Sequence, residues 1–285
     1  MYKGELTAEI VIPSYNRLHI LQDTVRKIRQ LYPDTHLCIG LQGQIPNSDF
    51  QLDLESNPTL RIERLAEPST TKTLNYCIET SPADIILILD DDAVPCSGWL
   101  DSHISAFSDN PNLPYTSGRE IRITGGCHIF SEATRIITEA VCGLFLKTDT
   151  KLNGHIVGWI NRAGLLFGNF NQPGTCRINS PRGCNMAVRK DLFLSIGKFN
   201  QNFRGNAWGF EGDFGLRMAK VGNYGRYIGG AVVMHYEVPS GGSRSESKKQ
   251  WFKDFIFNNK LLISNLGIQA WIGAVPRLLK KLIFN

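Results

Sequence analysis

At 285 residues, with 42% hydrophobic, 10% aromatic and 20% charged side chains, the chain carries enough apolar material for one large α/β domain. That ordinary composition excludes extensive disorder or low complexity, and a net charge of +5 is too small to argue for nucleic acid as a partner. Seven scattered cysteines, odd in number and nowhere spaced C-x-x-C, speak against a disulfide framework or zinc ribbon and for a reducing compartment.

In chain order, "AEIVIP" (8–13) reads as a strand ended by Pro13, and Leu18 to Leu31 repeats apolar residues at helical spacing until Pro33. "HLCIGL" (36–41) and "LRIERL" (60–65) predict strands, "TKTLNYCIET" (71–80) a helix, and "DIILIL" (84–89) a buried strand. Strands alternating with helices imply right-handed crossovers and a mainly parallel sheet, with ligands beyond the carboxyl ends of the strands. "PSYNR" and "DDDAVP" both fall at such ends. Further on, Ser131 could cap a helix carrying Ile136, Ile137, Ala140, Val141, Leu144 and Phe145. A Gly- and Asn-rich stretch (153–185), a short helix near "RKDLFLSIG", the segment "WGFEGDFGLRMAKVG", a strand "GGAVVMHYE" and a loop "VPSGGSRSESKK" follow.

Three of these stretches carry chemistry. Asp90, Asp91 and Asp92 stand in a row after a buried strand, with no cation among them. Such a cluster either caps the next turn and faces water, or holds a hard cation such as Mg²⁺ or Mn²⁺ that removes the repulsion. "WGFEGDFGLR" (208–217) places Asp213 and Arg217 at i and i+4, good for a helical ion pair, and leaves Glu211 as a second carboxylate. His235 ends an apolar strand, where a histidine is either a satisfied structural residue or a metal ligand.

The ordered set "IVIPSYNR", Lys72-Thr73-Leu74-Asn75, "LILDDDAVP" and "SPRGCNMAVRKDLF" resembles a family 2 glycosyltransferase over roughly residues 8 to 240. The resemblance implies a GT-A α/β fold with a DXD motif: a nucleotide-sugar-binding half over 8–100 and an acceptor and catalytic half over 101–245, within a domain spanning 1–245. By the same resemblance Pro13, Tyr15 and Arg17 line the nucleotide pocket, Lys72 and Asn75 contact or support it, and Asp90 sits near the ribose. Asp92 and His235 would hold Mn²⁺ or Mg²⁺ on the diphosphate, with Asp91 between the two motif carboxylates pointing elsewhere. Gly183 and Asn185 match the donor–acceptor boundary, and Trp208 could stack on a sugar or pack in the core. Glu211 takes the place of the catalytic base, with Asp213 as its rival because the family's usual Glu-Asp pair is absent. Where the family carries an acidic residue that reads the base, this chain has Gln42 or Gln44, which leaves the base open.

The implied activity is metal-dependent transfer, with inversion, of a sugar from a nucleoside-diphosphate donor to a hydroxyl of a glycan or lipid-linked acceptor. A nucleotidyltransferase or a non-catalytic nucleotide-sugar-binding module are the alternatives. The loop after His235, with Arg244, could close over the diphosphate. The tail over 246–285 is amphipathic, and its basic "PRLLKKLIF" could lie on a membrane or pack on protein. The stretch from Leu261 to Pro276 contains Ser264, Asn265 and Gln269 and falls short of the ~18–20 apolar residues of a span. With no long apolar N-terminal region either, the expected location is the cytoplasm, with peripheral contact to the inner face of a membrane as an option.

Overall fold

The computed structural model describes residues 6–43, 58–123, 148–236 and 247–275. The early apolar runs form strands β1 (Ala8–Tyr15), β2 (His36–Gln42), β3 (Leu60–Leu65) and β4 (Ile85–Leu89) of one sheet. β1 runs parallel to β2 and β4, and β3 parallel to β2. Helices α1 (Leu18–Leu31) and α2 (Thr70–Thr80) cover opposite faces of this sheet. Ile10 and Ile12 pack with Leu21, Val25 and Ile28 of α1, whereas Val11 between them packs with Leu74, Cys77 and Ile78 of α2. Alternate side chains of a strand point to opposite faces, so a strand covered twice must be apolar throughout.

β1 does not stop at Pro13 but continues to Tyr15. Its pairing with β4 ends at Val11, so beyond that point β1 is flanked by β2 alone and can accommodate a residue without an N–H. Asn16 then takes a left-handed conformation (φ 53°), which asparagine tolerates, and turns the chain into α1.

The second half extends the same sheet. After β5 (Ala93–Pro95) and α3 (Trp99–Asp109) come β6 (Tyr115–Arg122), the two-residue strands β7 (Lys151–Leu152), β8 (His155–Ile156), β9 (Trp159–Ile160) and β10 (Leu166–Phe167), and β11 (Thr175–Ile178). β12 (Asn185–Arg189), α4 (Lys190–Ser195), α5 (Phe210–Lys220), β13 (Gly225–His235) and α6 (Lys248–Ser264) complete the described elements. The strand order is β11-β13-β6-β12-β4-β1-β2-β3, with β5 added on β13. β3, β2, β1, β4, β6 and β13 run one way; β12, β11 and β5 run the other. The sheet is therefore mixed but mainly parallel, flanked by helices.

One irregularity positions the site. The register of β13 on β6 shifts between Ile228 and Val232, leaving Gly229, Gly230 and Ala231 outside the ladder. Asn185 stitches the bulge, its Nδ2 donating to the carbonyls of Ala231 (2.9 Å) and Arg119 (3.0 Å). Past it β13 pairs with β5, which sets His235 opposite Ala93, the residue after the three aspartates.

α6 packs on the body: Phe255 meets Trp208 with ring centres 4.8 Å apart, and Leu262 is buried against Ile160 and Leu216. No helix among the described residues is long and apolar enough to cross a membrane. The helix expected after Ser131, Gln44, the loop bearing Arg244 and the segment 276–284 lie outside the described residues.

Candidate functional site

β1 and β4 end at the same edge of the sheet, and there a cleft of about 580 Å³ opens. Pro13, Tyr15, Arg17 and Gln42 line it from the first parallel strands, and Asp90, Asp91 and Asp92 follow β4. Gly183, Trp208, Glu211 and His235 line it from the second half.

The aspartates are tied into one network. Asp91 faces β1, accepting from the Ser14 hydroxyl (2.6 Å) and from Arg17 Nη1 (3.0 Å). The same Arg17 nitrogen donates to Asp92 Oδ2 (3.1 Å). Asp92 Oδ1 lies 3.1 Å from His235 Nε2, and the other ring nitrogen, Nδ1, lies 2.6 Å from Glu120 Oε1. Glu120 also pairs with Arg182 (3.0 Å) and Arg122 (3.2 Å). Burial alone would raise the Glu120 carboxyl, but the His235 hydrogen bond and the two arginines hold it well below the carboxylate range. Burial opposes charging of His235, yet its bonds with Asp92, Cys184 and Glu120 outweigh that and push it up to about 12. Asp90, free of the arginine, is pushed up to about 7 by burial and then by Asp92.

The donor set fits a hard divalent cation. One atom each from Asp90, Asp92 and His235 lie within 4.8 Å of one another, two carboxylate oxygens and an imidazole nitrogen, the mixture Mn²⁺ accepts. Glu120 sits behind the histidine as the carboxylate that fixes ring orientation in metal sites. Cys184 also comes within 4.8 Å of Glu120 and His235, but a thiol suits softer metals, and burial pushes this one up to about 11.

Glu211 lines the same cleft from the first turn of α5. Its Oε1 accepts the Gly183 N–H (3.1 Å). A Cβ on Gly183 would fall 2.4 Å from that oxygen, so only glycine lets the backbone approach the carboxylate this closely. Burial raises the Glu211 carboxyl, partly offset by the backbone N–H groups of Glu211 and Gly183 and by Arg182.

Several residues assigned by resemblance do not line the cleft. Asp213 is 2% exposed and gives both carboxylate oxygens to the fold, Oδ2 to Arg217 (2.9 Å) and Oδ1 to the Asn265 amide (2.6 Å). Asn75 grips the Phe199 backbone, with Nδ2 to its carbonyl at 2.8 Å and Oδ1 from its N–H at 3.0 Å. Asn185 holds the β13 bulge and accepts from Trp99 Nε1 (2.8 Å). Lys72 is exposed and paired with Glu67 (2.7 Å). Gln42 does line the cleft, its Oε1 accepting the Ser69 N–H (2.6 Å) at the start of α2. Trp208 lines it too while packing on Phe255. Ser14, Glu120 and Arg182 were not singled out by sequence. The available signal was an acid inside the strand "YTSGREIR" and a basic residue beside Gly183.

Residues 9–128 match the model of the family described as Glycosyl transferase family 2. Among curated proteins, chondroitin synthase of Escherichia coli is 23% identical over 251 residues, which cover 81% of this chain and 34% of that protein. The chain thus spans about a third of that relative's length. Among solved structures, GalNAc-T7 with UDP, GalNAc and Mn²⁺ superposes with a TM-score of 0.65 at 13% identity, over 90% of this chain and 48% of that one. Mannosyltransferase PcManGT from Pyrobaculum calidifontis, in complex with GDP-Man and Mn²⁺, gives 0.55 at 13% identity, covering 99% of this chain and 75% of that one. A mycobacterial protein gives 0.57 at 14% identity, over 92% and 75%. At such identities the likeness is one of fold.

Proposed function

On the premise that residues 9–128 carry a family 2 glycosyltransferase segment within a GT-A fold, we propose that the chain is a metal-dependent, inverting glycosyltransferase. It would move a sugar from a nucleoside-diphosphate donor to a hydroxyl of a glycan or lipid-linked acceptor. The observation that carries the reading is one cleft lined both by the Asp90–Asp92–His235 group and by Glu211, a carboxylate whose proton affinity is raised by burial. A divalent cation held by Asp90, Asp92 and His235 would neutralise the diphosphate as it departs. Pro13 and Tyr15 flank the nucleotide. Gln42 spends its Oε1 on Ser69, so reading of the base falls to its amide NH₂. Arg17 holds Asp92 in place through its Nη1, 3.1 Å from Oδ2. Glu211 accepts the proton of the acceptor hydroxyl as that oxygen bonds the anomeric carbon and the bond to the diphosphate breaks. Asp213, committed to Arg217 and Asn265, is the weaker candidate for that role. The name of the curated relative supports a polysaccharide as acceptor.

Two variants test the assignment. Asp92→Ala should abolish Mn²⁺-dependent donor binding. Glu211→Gln should bind donor normally and lose about 10²- to 10⁴-fold in transfer rate. Normal turnover in Glu211→Gln would move the base elsewhere. Tight metal-dependent donor binding without release of nucleoside diphosphate from any donor would favour a binding module.

A further inference from the structure

Beside the active cleft lies a second one of about 800 Å³, and Ile160 lines both. Helix α5 runs between them: Glu211 in its first turn faces the first cleft, while Leu216, Ala219 and Lys220 line the second. Lys220 is nine positions beyond Glu211 on the helix, a rise of about 14 Å. A monosaccharide held at Glu211 would not reach the second cleft, but an extended chain would.

The lining of this second cleft is chemically specific. Trp159 and Tyr224 stack in parallel, with an interplanar angle of 4° and ring centres 5.9 Å apart. The Arg177 guanidinium lies 4.7 Å from the Tyr224 ring centre and 5.8 Å from that of Trp159. Arg162 and Lys220 add two exposed cations. Among the described residues no carboxylate lines this cleft; Asp149 pairs with Arg177 (2.9 Å) from outside the lining. Aromatic faces bind the C–H face of a pyranose, guanidinium and ammonium groups bind carboxylate, and side-chain amides serve hydroxyls. Asn161 and Gln269 supply such amides.

We propose that this cleft is a distal subsite for an acidic sugar unit of a polysaccharide acceptor, a uronic acid whose carboxylate meets Arg162 and Lys220 while its ring lies on the Trp159–Tyr224 platform. The proposal rests on the glycosyl-transfer reading for its biological sense, but not for its test. A chain seated here would bring its growing end along α5 to Glu211, so longer acidic acceptors would be used in preference to short ones.

The experiment is equilibrium binding of the full chain to an oligosaccharide of alternating uronic acid and hexosamine, beside the same oligosaccharide with its carboxyls reduced. The acidic form should bind about tenfold tighter or more. Arg162→Glu and Lys220→Glu, both at exposed positions, should each remove most of that preference. Trp159→Ala should weaken both forms alike. Asp92→Ala should change neither. Equal binding of the acidic and reduced forms, or wild-type binding by Arg162→Glu, would overturn the proposal, as would binding only of nucleotides at this cleft. A protein that makes no product from any donor, yet binds acidic chains in an Arg162-dependent way, would sink the transfer reading and leave the subsite standing.

Discussion

Two groups of side chains that line the cleft differ in how fully their charges are matched. In the aspartate group Arg17 binds Asp91 and Asp92, His235 lies between Asp92 and Glu120, and Arg182 and Arg122 close the network behind. The Glu211 carboxylate, by contrast, rests on backbone N–H groups with the charge of Arg182 nearby, and burial still raises its proton affinity. A matched, buried network has little freedom to rearrange, a property that the proposed cation and diphosphate site calls for. A carboxylate whose proton affinity is raised by burial suits the proposed proton acceptor.

Crowding Glu211 breaks this contrast while leaving the carboxylate in the chain. In Gly183→Ala the new methyl group would meet Oε1 at 2.4 Å and Cδ at 3.2 Å, so the carboxylate must move. Misplacement by about 1 Å can cost about 10²-fold in rate, and we expect a kcat loss approaching that, with donor Kd unchanged. The pH profile sharpens the test. A base works ionised, and burial raises Glu211, so if Glu211 is the proposed base kcat/KM in the wild type should climb with pH through a range above the ordinary carboxylate value. The Gly183 N–H favours the ionised form; losing it should move that limb further up in pH. A variant with unchanged kcat and an unmoved limb would show that Glu211 is not positioned by Gly183.

A smaller effect is expected behind the His235 side of the cleft. Glu120→Gln keeps shape but removes the charge that faces His235 Nδ1 and Arg182. Metal affinity should fall about 10- to 100-fold in a Mn²⁺ titration, while metal-free nucleotide binding stays as it was. Unchanged Mn²⁺ affinity would mean that His235 is oriented by its strand alone.

Glu120 also marks where sequence stops being informative. The elements from β1 to β4 were readable because buried strands and amphipathic helices leave periodic patterns, and those patterns placed "PSYNR" and "DDDAVP" at one sheet edge. The continuation of β1 past Pro13 was not readable, since it depends on where β4 stops pairing. Asp92 and His235 are 143 residues apart, and their meeting depends on a three-residue register shift at Gly229–Ala231 and on the pairing of β5 with β13. Glu120 and Arg182 enter through the same registers, which no local pattern encodes. Resemblance transferred Asn75 and Asn185 as site residues, whereas here their amides satisfy buried backbone carbonyls. A polar side chain in a motif can answer to the fold as readily as to a ligand.

Lys72 offers the finest test of that distinction. The resemblance sets it where the nucleotide is contacted or its pocket supported, next to the cap of α2. In the structure it is exposed and bound to Glu67, a residue at the surface, and it does not line the cleft that holds the aspartates. An exposed lysine–glutamate pair holds neither partner firmly and contributes little to folding. Lys72→Ala should therefore leave the melting temperature unchanged and donor Kd within about twofold, measured with Mn²⁺ present. The neighbouring cap should hold as well, because Ser69 accepts the Lys72 backbone N–H, which alanine retains. A tenfold loss of donor affinity would instead require the segment between β3 and α2 to swing Lys72 toward the diphosphate on binding. It would also make the first half of the cleft adaptable where the Arg17–Asp91–Asp92 network is fixed.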